Sequence, residues 1–186
     1  FFAKINPKII LVKQELAEII PDILNKYSWK KSMRWADHNL VWGRPLKSIL
    51  ALFDNQIIQF SFHHLLSNNL TFLNEIMEED QKEIKNFKSY LKLLNSKKII
   101  LDQNLRKRLI VKQIDKICRA RKLKNELNEK LLDEVVDLVE TPNILIGKFD
   151  KSFLNIPKEI LITSMQQHQK YFPLFNQEGN LTNVFI

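Results

Sequence analysis

Cysteine occurs once in the 186 residues, at position 118, and glycine only three times. A single thiol excludes an internal disulfide framework and a thiolate zinc cluster. Three glycines cannot furnish the glycine-rich turns on which nucleotide phosphates rest. No apolar run approaches the eighteen or so residues that a membrane span needs, and no signal-peptide pattern precedes the first amphipathic segment. No membrane association and a reducing, cytoplasmic setting are therefore expected. Acidic residues are also short, with 21 Asp and Glu against 29 Lys and Arg, a formal charge of +8. That excess points to an anionic partner, nucleic acid first. His63 and His64 adjoin, so on an extended strand they face opposite ways and do not chelate one metal. No nucleophile–base pair or metal-ligand spacing stands out elsewhere, and this chain alone is not expected to be catalytic.

The 45% hydrophobic content is sufficient for a real core. Its periodicity predicts an α+β fold, with several amphipathic helices packed on short, mainly antiparallel strands. Residues 7–27 form a helical segment, or two helices meeting at Pro21, with Ile9, Leu16, Ile20 and Leu24 on one stripe. Residues 28–35 run from a basic, aromatic loop into a strand, Asp37–Asn39 turns, and Leu40–Trp42 returns. Pro45 opens a short helix with Leu46, Ile49, Leu50 and Phe53 at helical spacing. Gln56–His63 alternates as a strand with Ile58, Phe60 and Phe62 inward. Asp80–Leu94 reads as a helix with an Asp80/Glu83 capping box and a stripe of Ile84, Phe87, Leu91 and Leu94. Lys98–Leu101 reads as a strand, closed by Asp102 as the cap of a basic helix over about 104–123. A further helix covers Glu129–Val139, and a buried strand covers Ile144–Gly147. The domain division expected is 1–27 as an N-terminal helical segment and 28–186 as one α+β module. The chain opens on Phe1 and closes on Asn183–Ile186, which reads as an unfinished strand, so a piece of a longer protein is expected.

The stretch Pro157–Phe175 organises the rest. Pro157 suits a helix start, and Ile160, Leu161, Ser164, Met165 and His168 recur by three and four. The pattern then changes to Tyr171-Phe172-Pro173-Leu174-Phe175, too short for another helix and closed by Asn176 and Gly179. A helix therefore runs into a strand, with His168, Gln169 and Lys170 exposed at the junction. Met165 followed by His168-Gln169-Lys170-Tyr171-Phe172-Pro173 resembles a motif of the bacterial glycyl-tRNA synthetase beta subunit. Lys31-Ser32-Met33-Arg34-Trp35 looks like that family's Lys-Ser-Met-Arg-Trp signature, and Arg44-Pro45 with Leu46, Ile49, Leu50 and Phe53 is similar to the family's next helix. Lys30-Lys31-Ser32-Met33-Arg34 also tempts comparison with a class I synthetase ATP loop, but the companion histidine–glycine signature is missing. Asp102, Arg106-Lys107 and Ile110 resemble another family pattern, as does Leu138-Val139-Glu140 before Pro142, where Thr141 replaces the family's tryptophan. Ser67–Phe72 resembles a lead-in that the family usually continues with Gly-His-Arg-Phe, whereas here Leu73-Asn74-Glu75 comes next.

The resemblance implies a fragment from the amino-terminal half of such a beta subunit. It implies a glycine–tRNA ligase of two alpha and two beta subunits, in which alpha uses ATP with Mg to activate glycine and beta positions tRNA. The partners implied are the alpha subunit, the rest of the beta subunit and tRNA, with no cofactor bound by this fragment. Lys31, Arg34, Arg44, Arg106, Arg108 and Lys170 are the expected tRNA contacts. Trp35, His168, Gln169 and Tyr171 are expected motif or interface residues. The alternative is a noncatalytic interaction module without RNA contact, in which the cations only solubilise an apolar scaffold.

Overall fold

The computed structural model describes residues 10–73 and 81–186, and has the expected α+β character. Two compact units divide it, Phe1–Leu93 and Leu94–Ile186.

In the first unit, α1 (Val12–Lys26) runs unbroken through Pro21. An interior proline removes one ladder bond and crowds the preceding turn. Burial of the neighbouring stripe offsets that cost: Leu16, Ala17, Ile20 and Leu24 pack against Leu40, Ile58, Phe60 and Phe62. Ile9 lies outside the described residues. Four two-stranded antiparallel ribbons come next: β1 (Met33–Arg34) with β2 (Val41–Trp42), β3 (Leu52–Phe53) with β4 (Gln56–Ile57), β5 (Ser61–Phe62) with β6 (Leu65–Leu66), and β7 (Leu70–Phe72) with β8 (Gln81–Glu83). The β3–β4 turn places Asp54 and Asn55 at φ of 48° and 61°, the positive values that a tight hairpin of this hand requires. The expected inward residues Ile58, Phe60 and Phe62 are buried, but the strand is interrupted, and His63 turns at φ 51° to start β6.

The helix expected after Pro45 does not form. Asn68 takes up the backbone instead, donating its N–H to Ile49 O at 2.9 Å and accepting from Ala51 N at 3.0 Å. Those tertiary bonds override a pattern that helical spacing alone satisfied. Ser67, 1% exposed, welds the same region: its hydroxyl accepts from Phe60 N at 2.8 Å and donates to Ile58 O at 2.7 Å.

Residues 81–101 also fold differently from the expected helix and strand. Gln81–Glu83 is strand, and α2 spans Phe87–Ser96. Asn86 and Ser89 make the reciprocal cap that Asp80 and Glu83 were expected to make: Ser89 N donates to Asn86 Oδ1 at 2.9 Å and Asn86 N to Ser89 Oγ at 3.1 Å. Asp80 itself lies outside the described residues. Ile84 is buried but lies before the helix, and Phe87 is 65% exposed. Lys98–Leu101 is not a strand. Lys98, at φ 61°, closes α2 while Ile99 N reaches back to Leu94 O at 3.0 Å, a left-handed helix stop.

In the second unit, α3 (Gln103–Arg121) starts on Asp102, whose carboxylate accepts from Leu105 N at 2.8 Å. Helix α4 (Glu129–Leu138) starts on Asn128, which accepts from Leu131 N. Between them lies β9 (Lys124–Asn125), and after them β10 (Gly147–Lys148), a 3₁₀ turn (Lys151–Asn155), α5 (Lys158–Thr163), β11 (Pro173–Phe175) and β12 (Leu181–Phe185). The antiparallel sheet has the order β10-β12-β11-β9. The strand expected at Ile144–Gly147 begins only at Gly147, where close approach of the Phe185 ring leaves no room for a Cβ, and Leu145 is 70% exposed. The core joins Ile110, Ile114 and Cys118 of α3 to Leu131, Leu132 and Val136 of α4 and Phe172 and Leu174 beside or within β11. Helix α5 widens into a π turn over Ser164–Gln169. The change of winding breaks the expected stripe, so Met165 is buried while Ile160 is 60% exposed.

Candidate nucleic-acid interface

Register on the β1–β2 ribbon pairs Met33 with Trp42 and Arg34 with Val41. Alternation puts Met33 on one face with Trp42 and Arg34 on the other. The first face meets a shallow cleft walled by Trp35, Trp42, Arg44, His38 and His64. Trp35 and Arg44 are therefore brought together, Arg34 lies on the opposite face of the ribbon, and Lys31 is exposed just before it. The His38 and His64 rings stack in parallel with centroids 3.5 Å apart. Loss of solvation first, then the neighbouring His38 and His63 imidazoles, holds His64 below the usual histidine value. Behind the cleft, aromatic rings form a ladder. Tyr27 meets Trp29 at 4.9 Å, Trp29 meets Trp42 at 5.1 Å, and Trp42 meets buried Phe62 at 5.6 Å.

In the second unit, α3 sorts its cations by face. Arg106 and Lys107 lie toward α4. The Arg106 guanidinium donates to Ile100 O at 2.6 Å and, through Nε, to Val136 O at 3.1 Å. Lys107 pairs with Glu129 at 2.8 Å and Asp133 at 2.7 Å, and those hydrogen bonds raise its pKa. Arg108, Lys112, Lys116 and Arg119 fall opposite the buried Ile110–Ile114–Cys118 line. All four are exposed and make no ion pair or side-chain hydrogen bond with the described residues. At 1.5 Å rise per residue they form a rail about 16 Å long. Arg108 was an expected contact; the other three were not. The spacing of four, four and three against the apolar line was the signal that could have found them.

The junction after α5 also differs in use from its expectation. His168 and Gln169 are exposed on the π turn, whereas Lys170 adopts φ 59° and its ammonium meets the Glu134 carboxylate at 2.8 Å. Tyr171 is partly buried, its ring stacked on Phe185 at 4.4 Å. Beside the turn, Asn128, Glu134, Thr163, Gln166 and Lys170 line an open cleft of about 270 Å³, across which Asn128 Nδ2 donates to Gln166 Oε1 at 3.0 Å. Among the described residues, no group of three or more His, Cys, Asp and Glu is placed to hold a metal ion, and no helix is long and apolar enough to cross a membrane.

The family model described as glycyl-tRNA synthetase beta subunit matches residues 1–186. The chain belongs to that family. It is 39% identical over 175 residues to the glycine–tRNA ligase beta subunit of Rickettsia canadensis (strain McKiel), covering 94% of this chain and 26% of that protein. The beta subunit of Rickettsia felis (strain ATCC VR-1525 / URRWXCal2) is 39% identical over 177 residues, covering 94% and 27%. That of Rickettsia akari (strain Hartford) is 37% identical over 186 residues, covering 100% and 28%. The chain thus spans about a quarter of the length of the curated relatives it matches. Within this chain, the segments around two family-like stretches are tied together, since Ile100 N donates to Glu140 O at 3.0 Å while Arg106 clasps the Val136 carbonyl. Where the family's Gly-His-Arg-Phe would stand, β7 ends at Phe72, and residues 74–80 lie outside the described residues.

Proposed function

We propose that this chain serves as part of the beta subunit of a glycine–tRNA ligase, contributing to tRNA binding and to assembly with an alpha subunit in a two-alpha, two-beta enzyme of the cytoplasm. The ATP- and Mg-dependent joining of glycine to tRNA then belongs to the alpha subunit, and this chain supplies binding surface rather than reacting groups. The family membership supports the assignment to the enzyme. One observation carries the RNA-facing role: four exposed cations in a row on α3, with no acid from the described residues paired to them. Like charges aligned on a rail gain nothing from each other and gain substantially from a phosphate backbone, which releases its counterions on contact.

The scaffold reading is favoured for a different set of residues. Arg106, Lys107 and Lys170 spend their charges on carbonyls or carboxylates of this chain. The test is binding of glycine tRNA to the chain across a salt titration, with the four rail residues replaced by Gln. Each lost phosphate contact lowers the salt slope by about one unit, so a drop of about three to four is expected. Unchanged affinity and slope would leave only the scaffold reading.

A further inference from the structure

The ribbon cleft of the first unit has a chemistry that a phosphate rail does not need. Trp35 is 54% exposed, Trp29 41% and Tyr27 59%, so three large aromatic faces are open to solvent. Tyr27 and Trp29 are held by their neighbours, and Trp35 stands on the wall of the cleft. The ladder descends ring by ring from Tyr27 to Phe62, which is 2% exposed, and Gly43 lets the Trp29 ring lie so close that a Cβ there would stand 2.7 Å from it. Between residues 27 and 44 the sequence places four cations, Lys30, Lys31, Arg34 and Arg44, against one acid, Asp37. Fixed aromatic faces interleaved with unbalanced positive charge are the elements of a single-strand binding surface: the cations track the backbone and the rings stack bases. A paired helix hides its base faces inside the stack and has no use for the indoles.

Resting on the RNA-binding reading above, we propose that this cleft takes an unpaired RNA segment, with a base stacked on Trp35 and the adjacent phosphate met by Arg44. The cleft itself offers only about 10 Å³, so the base lies over the exposed Trp35 face at its rim, with Trp42 and the His38–His64 stack lining the floor. The nucleotide is bound by its π face and its charge, so the site tolerates any base, and its selectivity is for unpaired over paired RNA.

The chain carries three tryptophans, and all of them, Trp29, Trp35 and Trp42, belong to this surface. Intrinsic fluorescence is therefore a local reporter. The whole chain is titrated with a single-stranded oligouridylate of about ten nucleotides, with a blunt-ended, fully paired RNA duplex of equal phosphate count, and with heparin as a polyanion that has no bases. Affinity is read separately by anisotropy of end-labelled RNA. The single strand is expected to quench the tryptophans, the duplex and heparin much less. Trp35→Ala should weaken single-strand binding by about 5- to 140-fold with the salt slope unchanged, and Trp35→Phe should retain most of the affinity. Because Trp35 is exposed, both variants keep the core intact, which circular dichroism checks. The proposal is overturned if Trp35→Ala binds the single strand as well as the parent chain, or if heparin quenches as strongly as RNA. Steep, salt-dependent tRNA binding without quenching by the single strand would remove the stacking site and leave the α3 rail standing. Failure to bind RNA of either form would remove both.

Discussion

Arg106 and Arg108 sit two residues apart on one basic helix, yet the structure gives their side chains opposite surroundings. Replacing Arg106 by Met deletes two charge-assisted hydrogen bonds, to Ile100 O and Val136 O, and a longer one to Leu101 O at 3.4 Å. Such bonds contribute about 1.5–3 kcal/mol each when well formed. The site is half-exposed, water can replace part of what is lost, and the two bonds share one guanidinium, so the sum should lie near about 2 kcal/mol. For a chain of this size that corresponds to a fall of about 4–8 °C in melting temperature. Arg108→Met removes a side chain that touches no described partner and should change stability by less than about 0.5 kcal/mol. Urea unfolding followed by far-UV circular dichroism reads the first quantity, and salt-dependent tRNA binding reads the second. Arg106→Met should lose stability and keep the salt slope; Arg108→Met should keep stability and lose about one unit of slope. Arg106→Lys should recover little, because an ammonium cannot span two carbonyls as the planar fork does. The reasoning is refuted if Arg106→Met proves as stable as the parent while its salt slope drops.

Ser67→Ala should destabilise by about 1–3 kcal/mol in urea titration, since it strips the buried Phe60 N–H and Ile58 carbonyl of the hydroxyl that joins them; a loss under half of that range would mean the backbone closes the gap unaided. The His64 shift has a definite sign. Its folded-state pKa is depressed, so its effect on stability is nil above the ordinary value of about 6.5 and becomes unfavourable as pH falls through it. The unfolding midpoint should hold from about pH 8 to 7 and decline below about 6.5, and His64→Phe should flatten part of that decline; superimposable profiles would show that the stacked pair does not respond to protonation.

Much of the helical architecture was legible because its signals are local. Asp102 announced α3, the valines and leucines of 129–138 announced α4, and alternation at Ile58, Phe60 and Phe62 picked out the inward face. The errors share a cause. Leu46–Phe53 has helical spacing, but the hydrogen bonds that decide its conformation come from Asn68, some twenty residues later, and no local pattern encodes them. Ile99 and Ile100 are β-branched and apolar, yet Lys98 and Ile99 are needed to stop α2. For the site, charge was visible and its employment was not. Arg106, Arg108 and Lys170 look alike in a sequence; only packing shows that two have been spent and one is free to meet a ligand.

The π turn at Ser164–Gln169 makes this part of the chain a mechanical gear as well as a motif. An ordinary helix advances about 100° per residue, whereas the wider coil absorbs an extra residue within one turn. Lys170 leaves that coil in a left-handed conformation, and Phe172 and Leu174 arrive at the sheet already facing its interior. Taking one residue out, at Gln167 for example, would reset the gear by a single tooth. Every later side chain would then reach the sheet half a period out of step, taking Leu174 off the α3–α4 core and onto the side now filled by Pro173 and Phe175, because strand positions alternate sides. Changing the identity of Gln167, which is exposed, disturbs none of this. Along these six residues the number of links in the chain carries more structural information than most of the side chains attached to them.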